Sequence, residues 1–228
     1  MRTGIIGTPL LTARSISRWI CRELLALEEQ ERKPVLLPRL TFAREEAEAI
    51  VKIAAPQGVL KAFDFQASLA RALSPELSQY RIVHLATHSR FSSEQPEDSG
   101  LYFSLLNEHG EPTRGLLRVH ELAALKLNAE LVVLSACETG LGKEVGGEGL
   151  VGLTRGLMAA GAKRVVASLW KVNDAATAVL MQRFYLALLG EQKLSPAAAL
   201  RQAQLSLWQE AQWQEPYFWA AFVIQGEH

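Results

Sequence analysis

Ile82-Val83-His84-Leu85-Ala86-Thr87-His88 and Leu131-Val132-Val133-Leu134-Ser135-Ala136-Cys137 are the two stretches that decide the fold. Each opens as a short apolar run rich in β-branched residues, which reads as a strand buried on both faces. Each also ends on a side chain with chemistry of its own, a histidine in the first and a cysteine in the second. A third run, Arg164-Val165-Val166-Ala167-Ser168-Leu169, repeats the apolar pattern and leads into Trp170-Lys171-Val172-Asn173-Asp174.

Working outward, helices separate these strands. Arg44 to Ala54 carries Ala47, Ile50, Val51 and Ala54 on one face, with Pro56-Gln57-Gly58 as the stop. Asp64 is expected to cap a helix through Leu69 to Leu73. Leu101 to Leu106 reads as a strand, Asn107 to Gly110 as a turn, and Val119 to Leu125 as a short helix. Leu150 to Ala160 is a helix ending at Gly161. Ala175 to Leu189 and Ser195 to Glu210 are two long ones, the second with Pro196 at its first helical position. Phe218 to Ile224 is expected as the last strand. Strand and helix in alternation predict an α/β domain, a mostly parallel sheet with helices on both faces.

The first thirty-five residues read differently. Ile16, Trp19, Ile20, Leu24 and Leu27 form an amphipathic stripe, and Pro34 and Pro38 bracket Val35 to Leu37. The chain is therefore divided into an atypical N-terminal segment, 1–35, and a main domain, 36–228. The stripe reads as a helix packed on the domain or as a docking helix for another chain.

Composition narrows the function classes. Lysine plus arginine and aspartate plus glutamate both number 24, so the formal net charge is zero. That gives no reason to expect nucleic acid or an anionic membrane as partner. The two cysteines, Cys21 and Cys137, do not make a disulfide framework. Pro9, Arg14 and Arg18 spoil the N-terminus as a secretory signal. The expected compartment is the cytoplasm. His84 and His88 lack a supporting His/Cys cluster, so no metal is expected, nor any other cofactor. Gly146-Gly147-Glu148-Gly149 follows its strand too late to read as a phosphate cradle.

In open parallel sheets, ligands sit beyond the carboxyl ends of the strands. If the first two strands are neighbours, His88 and Cys137 face each other there, as a thiol nucleophile and its base require. A free thiol with pKa near 8.5 is mostly protonated at neutral pH, and an adjacent imidazole takes that proton and returns it to a leaving amine. Glu138 acts against a thiolate if its side chain points inward. A lone cysteine after an apolar strand is more often a small core residue, so spacing leaves both readings open. His84 reads as a buried, hydrogen-bonded histidine supporting its neighbour. Glu94, Glu97 and Asp98 read as a charged, solvated loop. Asp174 reads as a helix N-cap.

His84-Leu-Ala-Thr-His88 and Val133-Leu-Ser-Ala-Cys137-Glu-Thr-Gly140 closely resemble the two signature motifs of the CHAT family, caspase-like domains found beside tetratricopeptide repeats. The resemblance extends through Leu40 to Ile50, Gly147 to Leu150, Val166 to Trp170, Ala198 to Ala203 and Pro216 to Phe222. It implies a caspase-type fold and a Cys137/His88 dyad with no obligatory acidic third member. Peptide bonds would be hydrolysed through a thioester, with the backbone N–H groups of Ser89 and Cys137 holding the oxyanion. A protein or peptide substrate is the implied partner, with a tetratricopeptide-repeat or other regulatory protein controlling access. Relatives of this fold often cut after charged residues, which makes Glu94, Glu97 and Asp98, and also Asp174, candidates to line a pocket for lysine or arginine. Two departures stand out. Ser89 replaces the family's usual glycine, which would be strained at φ > 0 and harmless otherwise. Residues before about Pro34 do not resemble the usual lead-in strand, and a missing edge strand would leave sheet groups exposed. These departures motivate the alternative reading, an inactive CHAT domain used as an interaction or regulatory module.

Overall fold

A computed structural model describes residues 2–7, 42–90, 99–135 and 148–227. In chain order its elements are β1 (Thr3–Gly7), α1 (Ala43–Ala54), β2 (Val59–Ala62), the one-turn α2 (Leu69–Ala72), β3 (Ile82–Ala86), β4 (His88–Arg90), β5 (Gly100–Tyr102), β6 (Leu116–Arg118), β7 (Leu131–Leu134), α3 (Glu148–Ala159), β8 (Arg164–Ser168), α4 (Asp174–Leu189), α5 (Pro196–Trp208) and β9 (Phe222–Gly226). Six strands form the main sheet in the order β2-β1-β3-β7-β8-β9, parallel except for β9, which runs antiparallel to β8. The smaller sheet β4-β5-β6 is antiparallel.

Alternation along the strands divides the core in two. Ile5, Ile82, Leu131, Val133 and Val166 face one way, against Ile50 of α1, Phe184 of α4 and Leu200 of α5. Val83, Leu85, Val132, Leu134 and Val165 face the other way, against Leu153 and Leu157 of α3 and Leu101 and Leu117 of the small sheet. A period of two on strands and of about 3.6 on helices produces this arrangement without further instruction.

β1 is the main departure from expectation. The sequence reading assigns no strand before Pro34, yet Thr3–Gly7 lies inside the sheet, hydrogen-bonded to β2 on one side and β3 on the other. Its signal is weak because two of its five residues are glycines and only Ile5 and Ile6 are aliphatic. The amphipathic stripe Ile16 to Leu27 lies outside the described residues. Smaller corrections concern caps. Ser68, not Asp64, caps α2, accepting from the Arg71 N–H. Asp64 instead begins a short 3-10 turn and pairs with Arg44 at 2.8 Å. The expected strand Leu101 to Leu106 shortens to β5, and the last strand begins at Phe222 rather than Phe218. Ser195 caps α5 as expected.

Gly161, just past α3, has φ +109°, and a Cβ there would lie 2.1 Å from the Leu127 carbonyl oxygen. Strain and backbone collision act together, so Gly161→Ala is expected to cost about 2–4 kcal/mol. Thermal melting should fall by about 5–15 °C. A melting temperature within two degrees of the wild type would contradict this packing.

Candidate functional site

β3 and β7 are hydrogen-bonded neighbours with the register Ile82↔Leu131 to Leu85↔Leu134. The ladder runs one rung further, because the Ser135 N–H donates to the Leu85 carbonyl at 3.1 Å. The chain beyond Ala86 and the chain beyond Leu134 therefore leave the sheet together at its carboxyl edge. β8 is the next strand across. This adjacency is the condition on which the sequence pairing of His88 with Cys137 depended.

After Ala86 the chain crosses from the large sheet to the small one. The Thr87 hydroxyl donates to the Tyr102 carbonyl at the crossover, and His88 then pairs with Tyr102 as the first residue of β4. His88 is 4% exposed and Ser89 3%. Cys137 lies outside the described residues, as do Cys21, Glu138 and the acidic trio Glu94, Glu97 and Asp98.

Ser89, opposite Leu101, does not have a positive φ. The strain considered for a serine in place of glycine does not arise. Ser89→Gly should therefore bring no relief. It is expected to lower stability by about 1 kcal/mol through added chain entropy, read as a fall of about 2–4 °C in melting temperature. A rise would mean that the backbone here favours glycine.

His84 is fully buried, four residues before His88, and faces α1 and α4. Its Nδ1 lies 3.2 Å from the Tyr185 hydroxyl on α4, and its Nε2 lies 2.8 Å from Oε1 of Glu46 on α1. Neither Nε2 nor Oε1 makes a hydrogen bond of good geometry among the described residues. The contact is a close polar pair held by proximity. Burial, and then the neighbouring Glu46 carboxylate, push the Tyr185 phenol well above its ordinary range. A phenol that keeps its proton can donate to Nδ1.

The sequence reading placed His84 inside the strand but missed both of its partners. Glu46 had a signal: with Ala43, Ala47, Ile50, Val51 and Ala54 it lies on the buried stripe of α1. A carboxylate at i+3 in an apolar stripe demands a partner. Tyr185 had none, since α4 is apolar on most sides. Ser135, at the end of β7, carries a buried hydroxyl with no hydrogen-bond partner among the described residues.

Asp174 is the first residue of α4, not its cap. Asn173 is the cap, accepting from the Ala176 N–H at 3.0 Å. The Asp174 carboxylate instead accepts the Phe42 N–H at 3.0 Å, tying the start of α1 to the start of α4. Among the described residues, no three His, Cys, Asp or Glu side chains are grouped to hold a metal ion. No helix among them is long and apolar enough to cross a membrane.

The architecture is shared with the Arg-specific cysteine proteinase gingipain R, at a TM-score of 0.51 and 10% sequence identity. The match covers 99% of this chain and 46% of that one, and it establishes a caspase-like fold. Among curated proteins, the chain is 38% identical over 111 residues to tetratricopeptide repeat protein 28 of Mus musculus, and 36% identical to that of Homo sapiens. Each match covers 49% of this chain and 4% of the relative, so it spans only a small part of those relatives' length. The CHAT domain family matches residues 10–227. The chain belongs to the CHAT domain family.

Proposed function

We propose that the chain is a cysteine-type endopeptidase in which His88 takes the proton of Cys137, and the thiolate attacks a peptide carbonyl to form a thioester. The observation that carries this reading is the parallel, in-register pairing of β3 with β7, which brings both chain segments to one sheet edge. Cys137 is two residues past Ser135, a reach of at most about 7 Å. In this reading the N–H groups of Ser89 and Cys137 hold the oxyanion, and Glu94, Glu97 and Asp98 favour a basic side chain before the cut. The near-complete burial of His88 supports a form kept latent until a regulatory protein, such as a tetratricopeptide-repeat partner, opens access. The compartment we assign is the cytoplasm.

The deciding experiment is cleavage of a mixed peptide library by the wild type, Cys137→Ala and His88→Ala. Cleavage abolished by both substitutions supports the dyad, and the cut sites report the pocket. Cleavage that survives Cys137→Ala overturns it. A second reading, a non-catalytic interaction module, is favoured by the curated relatives, which are named for their repeats and not for a peptidase activity. It predicts no cleavage and slow alkylation of Cys137.

A further inference from the structure

We propose that Glu46 and Tyr185 are positioning residues, which fix the imidazole of His88 by anchoring, at His84, the strand β3 that leads directly to it; this rests on the dyad reading above. The three side chains come from three separate elements, α1, β3 and α4, and none is more than 2% exposed. Around them the same sheet face is aliphatic: Ile5 and Val133 flank His84 in the register, and Ile82 precedes it. Aliphatic contacts tolerate small slides along a strand, whereas a directional hydrogen bond in a low-dielectric core, such as that between the Tyr185 hydroxyl and the His84 Nδ1, does not.

Only Leu85, Ala86 and Thr87 separate His84 from His88. Thr87 is itself tied to the Tyr102 carbonyl. The strand is thus held at His84 to two helices and at Thr87 to the small sheet, and His88 is the next residue. Among the described residues, the titratable groups facing His84 are Glu46 from α1 and Tyr185 from α4. All three are sealed from substrate, so any influence on the chemistry must pass through the backbone of β3. A shift on the order of 1 Å in a catalytic group is enough to reduce rates by up to about a hundredfold.

The test uses the full chain with Cys21→Ser, so that Cys137 is the sole thiol. Iodoacetamide alkylation is followed from pH 5 to 10 for this background and for His88→Ala, Glu46→Gln, Tyr185→Phe and Leu180→Ala. Leu180 is a buried aliphatic residue of α4, so its variant controls for destabilisation alone. The expected result is that Glu46→Gln and Tyr185→Phe raise the apparent thiol pKa part of the way toward that of His88→Ala. Alkylation near pH 6 should slow several-fold, while Leu180→Ala lowers the melting temperature without moving the profile. If His88→Ala matches the background, the dyad itself is wrong. If His88→Ala moves the profile but folded Tyr185→Phe and Glu46→Gln do not, the positioning role is overturned and the dyad stands. A shift in Leu180→Ala as large as theirs also overturns it. Should Glu46→Gln fail to fold, Tyr185→Phe decides, since it removes only a hydroxyl.

Discussion

Replacing His88 by alanine should reduce peptide cleavage by about a hundredfold to ten-thousandfold, the usual contribution of a positioned acid–base group. The effect on alkylation should be smaller and should depend on pH in a diagnostic way. Without the imidazole the thiol returns toward pKa 8.5, so at pH 6 less than about 1% is thiolate. A thiolate of higher pKa is the better nucleophile, however, with a Brønsted slope of about 0.4–0.5, and this recovers part of the loss. The two effects leave a net slowing of about tenfold near pH 6. Above pH 9 both proteins are ionised, and the variant should equal or overtake the wild type. Parallel profiles at every pH would mean that His88 does not interact with the thiol. Cys137→Ala, by contrast, removes the nucleophile and should abolish covalent turnover at any pH. Alkylation therefore separates an activated but latent thiol from an inert one, even when no substrate is known.

The strands and helices that position this edge were legible in the sequence because their signals are redundant. Val132 and Leu134 against Leu131 and Val133 sort themselves to opposite faces, and Gly161 and Ser195 mark helix ends by residue type. The order of strands was legible only as a condition. Parallel neighbours are joined through long crossovers, so nothing local to Leu85 or Leu134 announces that they pair. β1 failed for the opposite reason. Thr3–Gly7 is held by ladders to both neighbours, and a strand fixed by its partners needs little propensity of its own. Caps were misassigned by one residue at Asn173, where either Asn or Asp suits the position and only the backbone geometry decides. The buried pair of Glu46 and His84 was half legible. Its histidine sat in a run that could only be a strand, and its glutamate was hidden among the ordinary charges of Arg44 to Glu48.

That pair carries the second large prediction. Glu46→Ala leaves the His84 Nε2 buried without its polar neighbour, and a buried polar group left without a partner costs about 1–3 kcal/mol. Melting should fall by about 2–12 °C in a chain of this size. Removing every polar member together has a different outcome, because the desolvation penalty disappears with the polar groups. The triple variant Glu46→Leu, His84→Leu, Tyr185→Phe should return to within about 1–2 kcal/mol of the wild type, or exceed it. A triple variant as unstable as Glu46→Ala would show that the three residues hold the fold together in their own right. If the triple variant is stable but the thiol pKa of Cys137 stays raised, stability and site geometry separate. A polar network that an aliphatic core can replace for folding, but not for the dyad, is then retained for where it puts β3 and not for how firmly the domain holds together.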